Sequence, residues 1–156
     1  MPENYACLAR NVDNFHLTNA TTYQCAISDE YSQGFMTTTS DRSLDNQLIK
    51  MQAEDNLDER ITGFSVECIP LEAIFDKIFV PKISLLKIDI EGGEKDIFKS
   101  TSSDIFKKIN SLAIEYHDNI QPGTLRLITD KLKKTHNLKT FNNEISECGL
   151  LFATLR

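Results

Sequence analysis

The chain has 156 residues, the size of one ordinary domain, and 40% of them are hydrophobic against 26% charged, a balance that buries a core and excludes a disordered chain. Its net charge of −6 repels a phosphate backbone and so speaks against nucleic acid as a partner. No apolar run approaches the ~18 residues of a membrane span and no signal-peptide pattern is seen, so no membrane partner and a cytoplasmic location are expected. Cys7, Cys25, Cys68 and Cys148 show no C-x-x-C spacing and read as reduced thiols acting as small hydrophobes.

Tyr5, Leu8, Ala9, Val12 and Phe15 recur at spacings of three and four, which predicts an amphipathic helix over 3–15 opened by Pro2. A strand rich in Thr and Tyr is expected over 19–27. The polar stretch 28–60 reads as a variable insertion with an edge hairpin near 33–38 and a short helix near 46–52. Alternating Ile, Phe and Val predict a strand over 61–68, and Pro70 then starts a short helix at 71–75. The run ISLLKIDI at 83–90 is nearly continuous in apolar character, which suits a parallel strand covered on both faces. A helical stretch with Ile97, Phe98, Ile105 and Phe106 leads to a second such strand at 111–116. Pro122 and Gly123 open a helix with Leu125, Leu127, Ile128 and Leu132 inward and a solvated basic face at Lys131, Lys133 and Lys134. Residues 138–141 and 149–155 read as an antiparallel pair. This alternation predicts a single α/β sandwich, with ligands at the carboxyl ends of the strands.

Two of those strand ends are polar. Lys87, Asp89 and Glu91 alternate onto one face of the first, and Glu115 and His117 share a face of the second. If the strands are neighbours, these ionisable groups converge at one rim. Gly92 and Gly93 would let the chain leave the strand sharply and let a ligand approach the backbone. Lys87 lies in an apolar run, where an unpaired ammonium is costly, so it is expected to pair with Glu115 or Asp89. Asp89 and Glu91 read as functional, Lys87 and Glu115 as architectural, and His117 as either a site residue or a satisfied loop histidine. His16 and His136 follow amphipathic helices and read as surface residues. Asp89, Glu91 and His117 also form an oxygen-plus-imidazole set of the kind that holds a divalent cation.

The segment LLKIDIEGGE at 85–94 resembles the signature of the FkbM-type methyltransferases, Rossmann-like class I enzymes that use S-adenosylmethionine. In matching order, PENYACLARNVDNFHLTN at 2–19 resembles the helix after that family's second strand, ITGFSVECIPLEAIF at 61–75 the strand and helix before the signature, and AIEYHD at 113–118 its fifth strand. Roughly 31–59 lie outside the resemblance. It implies a mostly parallel sheet of strand order 3-2-1-4-5-7-6, ending in an antiparallel pair. The first two strands are missing here, and with them the glycine-rich turn that wraps the cofactor's amino-acid end; the six glycines form no G-x-G.

By that resemblance the chain is a truncated or split methyltransferase acting on a hydroxyl of a sugar or small metabolite. Its S-adenosylmethionine binding would be impaired by the missing loop. Asp89 would lie near the methyl end of the cofactor, His117 or Glu91 would serve as base, and Ser28 and Asp29 would approach the adenine. The alternative is a non-catalytic remnant of the same fold that self-associates or binds a protein partner through an open sheet edge. A metal-dependent hydrolase on the carboxylate rim is a third reading.

Overall fold

The computed structural model describes residues 2–37, 48–50, 63–143 and 147–156. The chain forms two compact units, one of 1–26 with 31–68 and one of 27–30 with 69–156.

In the first unit the helix forms as α1 (Pro2–Asn14), with Glu3 in the first turn where a negative charge suits the helix dipole. Tyr5, Ala9 and Val12 are half-buried, as the spacing predicts, but Leu8 of the same set is exposed, as is Phe15 just past the helix end, and no residue of the helix is fully buried. The strand expected over 19–27 shrinks to β1 (Ala26–Ser28). Thr and Tyr favour a strand only where a neighbour supplies a ladder, and 20–25 stay irregular. β2 (Ser32–Thr37), β3 (Leu48–Lys50) and β4 (Gly63–Pro70) complete a sheet of order β1-β4-β2-β3. β2 runs antiparallel to β4 from Ser32↔Cys68 to Thr37↔Gly63, and antiparallel to β3. The hairpin expected near 33–38 is thus a single strand between two antiparallel neighbours. Residues 48–50 are a strand where a short helix was expected: pairing with β2 satisfies backbone groups that a helix of one or two turns leaves open at its ends. The remainder of 46–52, and Thr38, lie outside the described residues.

The second unit carries α2 (Ala73–Ile78), β5 (Ile83–Ile88), α3 (Glu94–Ser100), α4 (Ser103–Phe106), β6 (Ile109–His117), α5 (Thr124–Leu132), β7 (His136–Asn143) and β8 (Cys148–Leu155). Its sheet has the order β5-β6-β8-β7. β5 and β6 are parallel, while β8 is antiparallel to β6 and to β7. The antiparallel closing pair forms as expected. The mostly parallel sheet does not: two of the three pairings here are antiparallel, because β8 enters between β6 and β7 from the opposite direction. Mixed sheets with helices make the chain α/β.

The core lies between one face of this sheet and the helices. Leu112 and Ile114 of β6, Leu151 and Ala153 of β8, Ile97 and Phe98 of α3, Phe106 of α4, and Ile128 and Leu132 of α5 are all buried. Phe98 and Phe106 stack with ring centroids 4.7 Å apart. On the other face of the sheet Phe141, Leu150 and Phe152 are exposed, and Leu85 is 63% exposed. The apolar run of β5 is thus not covered on both faces. It ends the sheet among the described residues, and the helices that pack on the core leave its second face open.

His136, expected at the surface, is fully buried. It opens β7, and both ring nitrogens have partners: Nε2 donates to the Ile109 carbonyl at 3.0 Å and Nδ1 lies 2.8 Å from the Thr135 hydroxyl. Partnered in this way, an imidazole is buried without stranding a polar group. His16 is exposed, as expected.

Candidate active site

Parallel pairing with Lys87↔Ala113 and Ile88↔Ile114 in register sets the carboxyl ends of β5 and β6 side by side. Beyond β5 the chain turns through two left-handed residues, Glu91 (φ 51°) and Gly92 (φ 101°), and α3 begins at Glu94. The Glu94 carboxylate reaches back over this turn, accepting from the Ile90 amide at 3.2 Å and the Gly92 amide at 3.1 Å. Gly92 serves the sharp exit that the sequence suggested, but not the approach of a ligand. A Cβ there would stand 2.6 Å from Cγ2 of Ile120, and one on Gly93 would stand 3.1 Å from the Ile90 side chain, so the protein's own side chains fill both spaces.

His117, the last residue of β6, is 5% exposed. Its Nδ1 lies 3.1 Å from Oε1 of Glu94, and its Nε2 lies 3.4 Å from Oε2 of Glu91. Asp89 completes a group in which one ligand atom from each of Asp89, Glu91 and His117 lies within 4.8 Å of the others. The two carboxylates are open to solvent, and the imidazole beside them is anchored by Glu94. Such a set can take up a proton, attract a cationic ligand or seat a divalent cation.

The other candidates fall outside that group. Lys87 pairs with Asp89 at 2.7 Å, one of its two expected partners, but its side chain is 65% exposed and no burial enforces the pair. The hydrogen bond and the charge of Asp89 hold its ammonium above the ordinary value of 10.5, with Glu115 a smaller contribution. Glu115 sits across from Leu150 and does not join the cluster. Ser28 and Asp29 lie at the end of β1, where the buried Ser28 hydroxyl donates to Asp29 Oδ1 at 2.9 Å. The residue that sequence reasoning passed over is Glu94. Its signal was present: a carboxylate two residues beyond a left-handed turn, at a helix start, can fold back on the turn's own amides.

Tyr116 and Asp118 alternate with His117 along the chain and leave β6 on the other side. With Leu125, Asn142, Glu147 and Cys148 they line a cavity of about 360 Å³. The Tyr116 hydroxyl donates to Asn142 Oδ1 at 2.7 Å. Burial first, and then the charges of Asp118 and Cys148, push this phenol above its ordinary value of 10.0. A raised phenol stays neutral longer in the folded chain, so its contribution to stability is intact below pH ~10 and fades as pH climbs through the folded value. Spectrophotometric titration of the four tyrosines should show one ionising late, and the Tyr116→Phe variant should lack that step; a titration unaltered by the substitution would contradict the assignment.

The sequence profile of the methyltransferase FkbM domain matches residues 1–147. The chain belongs to the FkbM methyltransferase family. Methyl transfer is therefore the general chemistry of its kind, and the FkbM match spans both strand ends, the turn between Ile88 and Glu94, and the whole Asp89–Glu91–His117 group. A search of curated proteins found no match, and neither did a search of solved structures. No helix of this FkbM domain is, among the described residues, long and apolar enough to cross a membrane.

Proposed function

We propose that the chain performs S-adenosylmethionine-dependent methyl transfer to a hydroxyl of a sugar or small metabolite, with Asp89, Glu91 and His117 as its working rim. The observation that carries this reading is the meeting of those three side chains at the carboxyl ends of a parallel strand pair. The strand order β5-β6-β8-β7 supports a Rossmann-like reading, because it corresponds to the 4-5-7-6 portion of the order that the family resemblance implies.

The chemistry of the rim suits the cofactor. S-adenosylmethionine carries a sulfonium and an ammonium, and when bound it supplies an electrophilic methyl group. Asp89 and Glu91 offer solvent-open carboxylate oxygens for that cationic end, with Asp89 the group beside the methyl. Ser28 and Asp29 are assigned to the adenine on their place at the end of β1. His117 or Glu91 removes the proton of the acceptor hydroxyl, a contribution of about 10²–10⁴-fold to such reactions. The protein otherwise acts by alignment of the reactants.

Calorimetry of the purified chain with S-adenosylmethionine and S-adenosylhomocysteine tests the reading. Heat of binding supports it, heat at micromolar ligand would mean that binding does not depend on the glycine-rich loop, and Asp89→Asn should weaken binding by about tenfold or more, the loss of one charged hydrogen-bonding partner. A folded chain that gives no heat at millimolar ligand would instead support a non-catalytic interaction module of the same fold.

A further inference from the structure

We infer that Glu94 is a positioning residue that keeps the proton of neutral His117 on Nδ1 and so turns the lone pair of Nε2 toward the rim. The inference rests on the methyl-transfer reading and names, within it, the atom of His117 that faces the acceptor. Glu94 is fully buried. Its carboxylate is met by the Ile90 amide at 3.2 Å, the Gly92 amide at 3.1 Å and His117 Nδ1 at 3.1 Å. A backbone N–H can only donate, so the two amides define this carboxylate as an acceptor. An acceptor opposite Nδ1 requires Nδ1 to be the donor. Neutral imidazole has a single N–H, and Nε2 is then left with its electron pair, 3.4 Å from Glu91 Oε2.

Either tautomer turns one ring lone pair toward a carboxylate, but Glu91 is 49% exposed and screened by water, whereas the opposite tautomer would set the lone pair against buried Glu94 at 3.1 Å. Nothing in water screens that repulsion at a site with the His117 side chain 7% and the Glu94 side chain 0% exposed. The same arrangement prepares for the proton's arrival. When the acceptor hydroxyl gives its proton to Nε2, the oxygen keeps the electron pair and would bond through it to the methyl carbon of bound S-adenosylmethionine, while the carbon–sulfur bond would break and leave its pair on the sulfur, now neutral. The ring becomes an imidazolium held between Glu94 behind and Glu91 in front, each a charge-assisted partner. A histidine oriented by a buried acid on one nitrogen and working through the other is a recurrent solution on unrelated folds.

The test uses the ¹⁵N-labelled full chain with no cofactor or acceptor present, reading the ring nitrogens of His117 by long-range proton–nitrogen correlation. His136, whose Nε2 donates to Ile109, is an internal standard for the opposite tautomer, and exposed His16 reports an unconstrained ring. In its neutral form His117 should favour Nδ1–H by about tenfold or more, the bias a charged hydrogen bond supplies. Glu94→Gln keeps an oxygen in the Oε1 place, which faces the Ile90 and Gly92 amides and His117 Nδ1 alike, while removing the charge, and should lower the Nδ1–H preference of His117 toward a mixed state without altering His136. A wild-type His117 protonated on Nε2, or a Glu94→Gln spectrum with the wild-type ratio, would overturn the inference. Should the glutamine variant not fold, the wild-type tautomer, assigned with His117→Gln, decides alone. Because no cofactor takes part, failure here leaves the calorimetric result standing, and absence of heat there leaves the tautomer readable.

Discussion

Replacing Glu94 by leucine is expected to remove about 3–5 kcal/mol of folding stability, the usual cost of deleting one partner of a buried charged pair. The carboxylate is fully buried and is the acceptor for the amides of Ile90 and Gly92 and for His117 Nδ1. Leucine fills a similar volume but strands those donors, each at roughly 1–3 kcal/mol where water cannot reach. The two left-handed residues of the turn, Glu91 and Gly92, would also lose the side chain that ties them to α3. Urea unfolding followed by circular dichroism measures the loss as a lower midpoint at constant slope. Glu94→Gln, which retains an oxygen, should lose clearly less. If the leucine variant unfolds within about 0.5 kcal/mol of wild type, the range of a surface substitution, the carboxylate does not anchor the turn.

Phe98→Ala should cost about 3–5 kcal/mol for a different reason, the cavity left by a large core ring. Phe98 is fully buried on α3 and stacks on Phe106, which is itself fully buried on α4. The stacking adds about 0.5–1.5 kcal/mol beyond the area removed from water. The control is Phe152→Ala on the open face of the same sheet. Phe152 is 42% exposed, with one edge-on partner in Phe141, so its loss should be much smaller. Equal losses at the two positions would mean that the open face is covered in solution and that the core does not lie where the structure puts it.

The two phenylalanines also show where sequence reading succeeds and where it stops. Ile97 and Phe98 were legible as members of a helical stretch, and Ile128 and Leu132 as inward residues, because helical periodicity marks one face of a helix and any packed helix buries that face. The antiparallel pair at β7 and β8 was legible for a similar reason, as two apolar runs joined by a short polar connection. Phe152 and Leu85 were not. The run of Leu85 looks like a strand covered on both sides, that of Phe152 was legible only as part of an antiparallel pair, and only the placement of the helices shows which side is open. Residues 48–50 read as helical from their immediate neighbours and became a strand because β2, distant in sequence, offered a ladder.

The candidate site divides in the same way. The sequence alone determined the chain's family signature, the acids Asp89 and Glu91 just past one strand end, and His117 at another, because these depend on local order along the chain. Tertiary structure decided that β5 and β6 are parallel neighbours in register, that Glu115 stays apart while Asp89, Glu91 and His117 meet, and that Glu94 stands behind the imidazole. It also buried His136 and left Lys87 in the open. The physical reason is common to all of these. A chain's periodicity specifies which way a side chain points from its own element, whereas burial, charge pairing and the choice of proton on a ring nitrogen depend on what another part of the chain brings within about 3–4 Å.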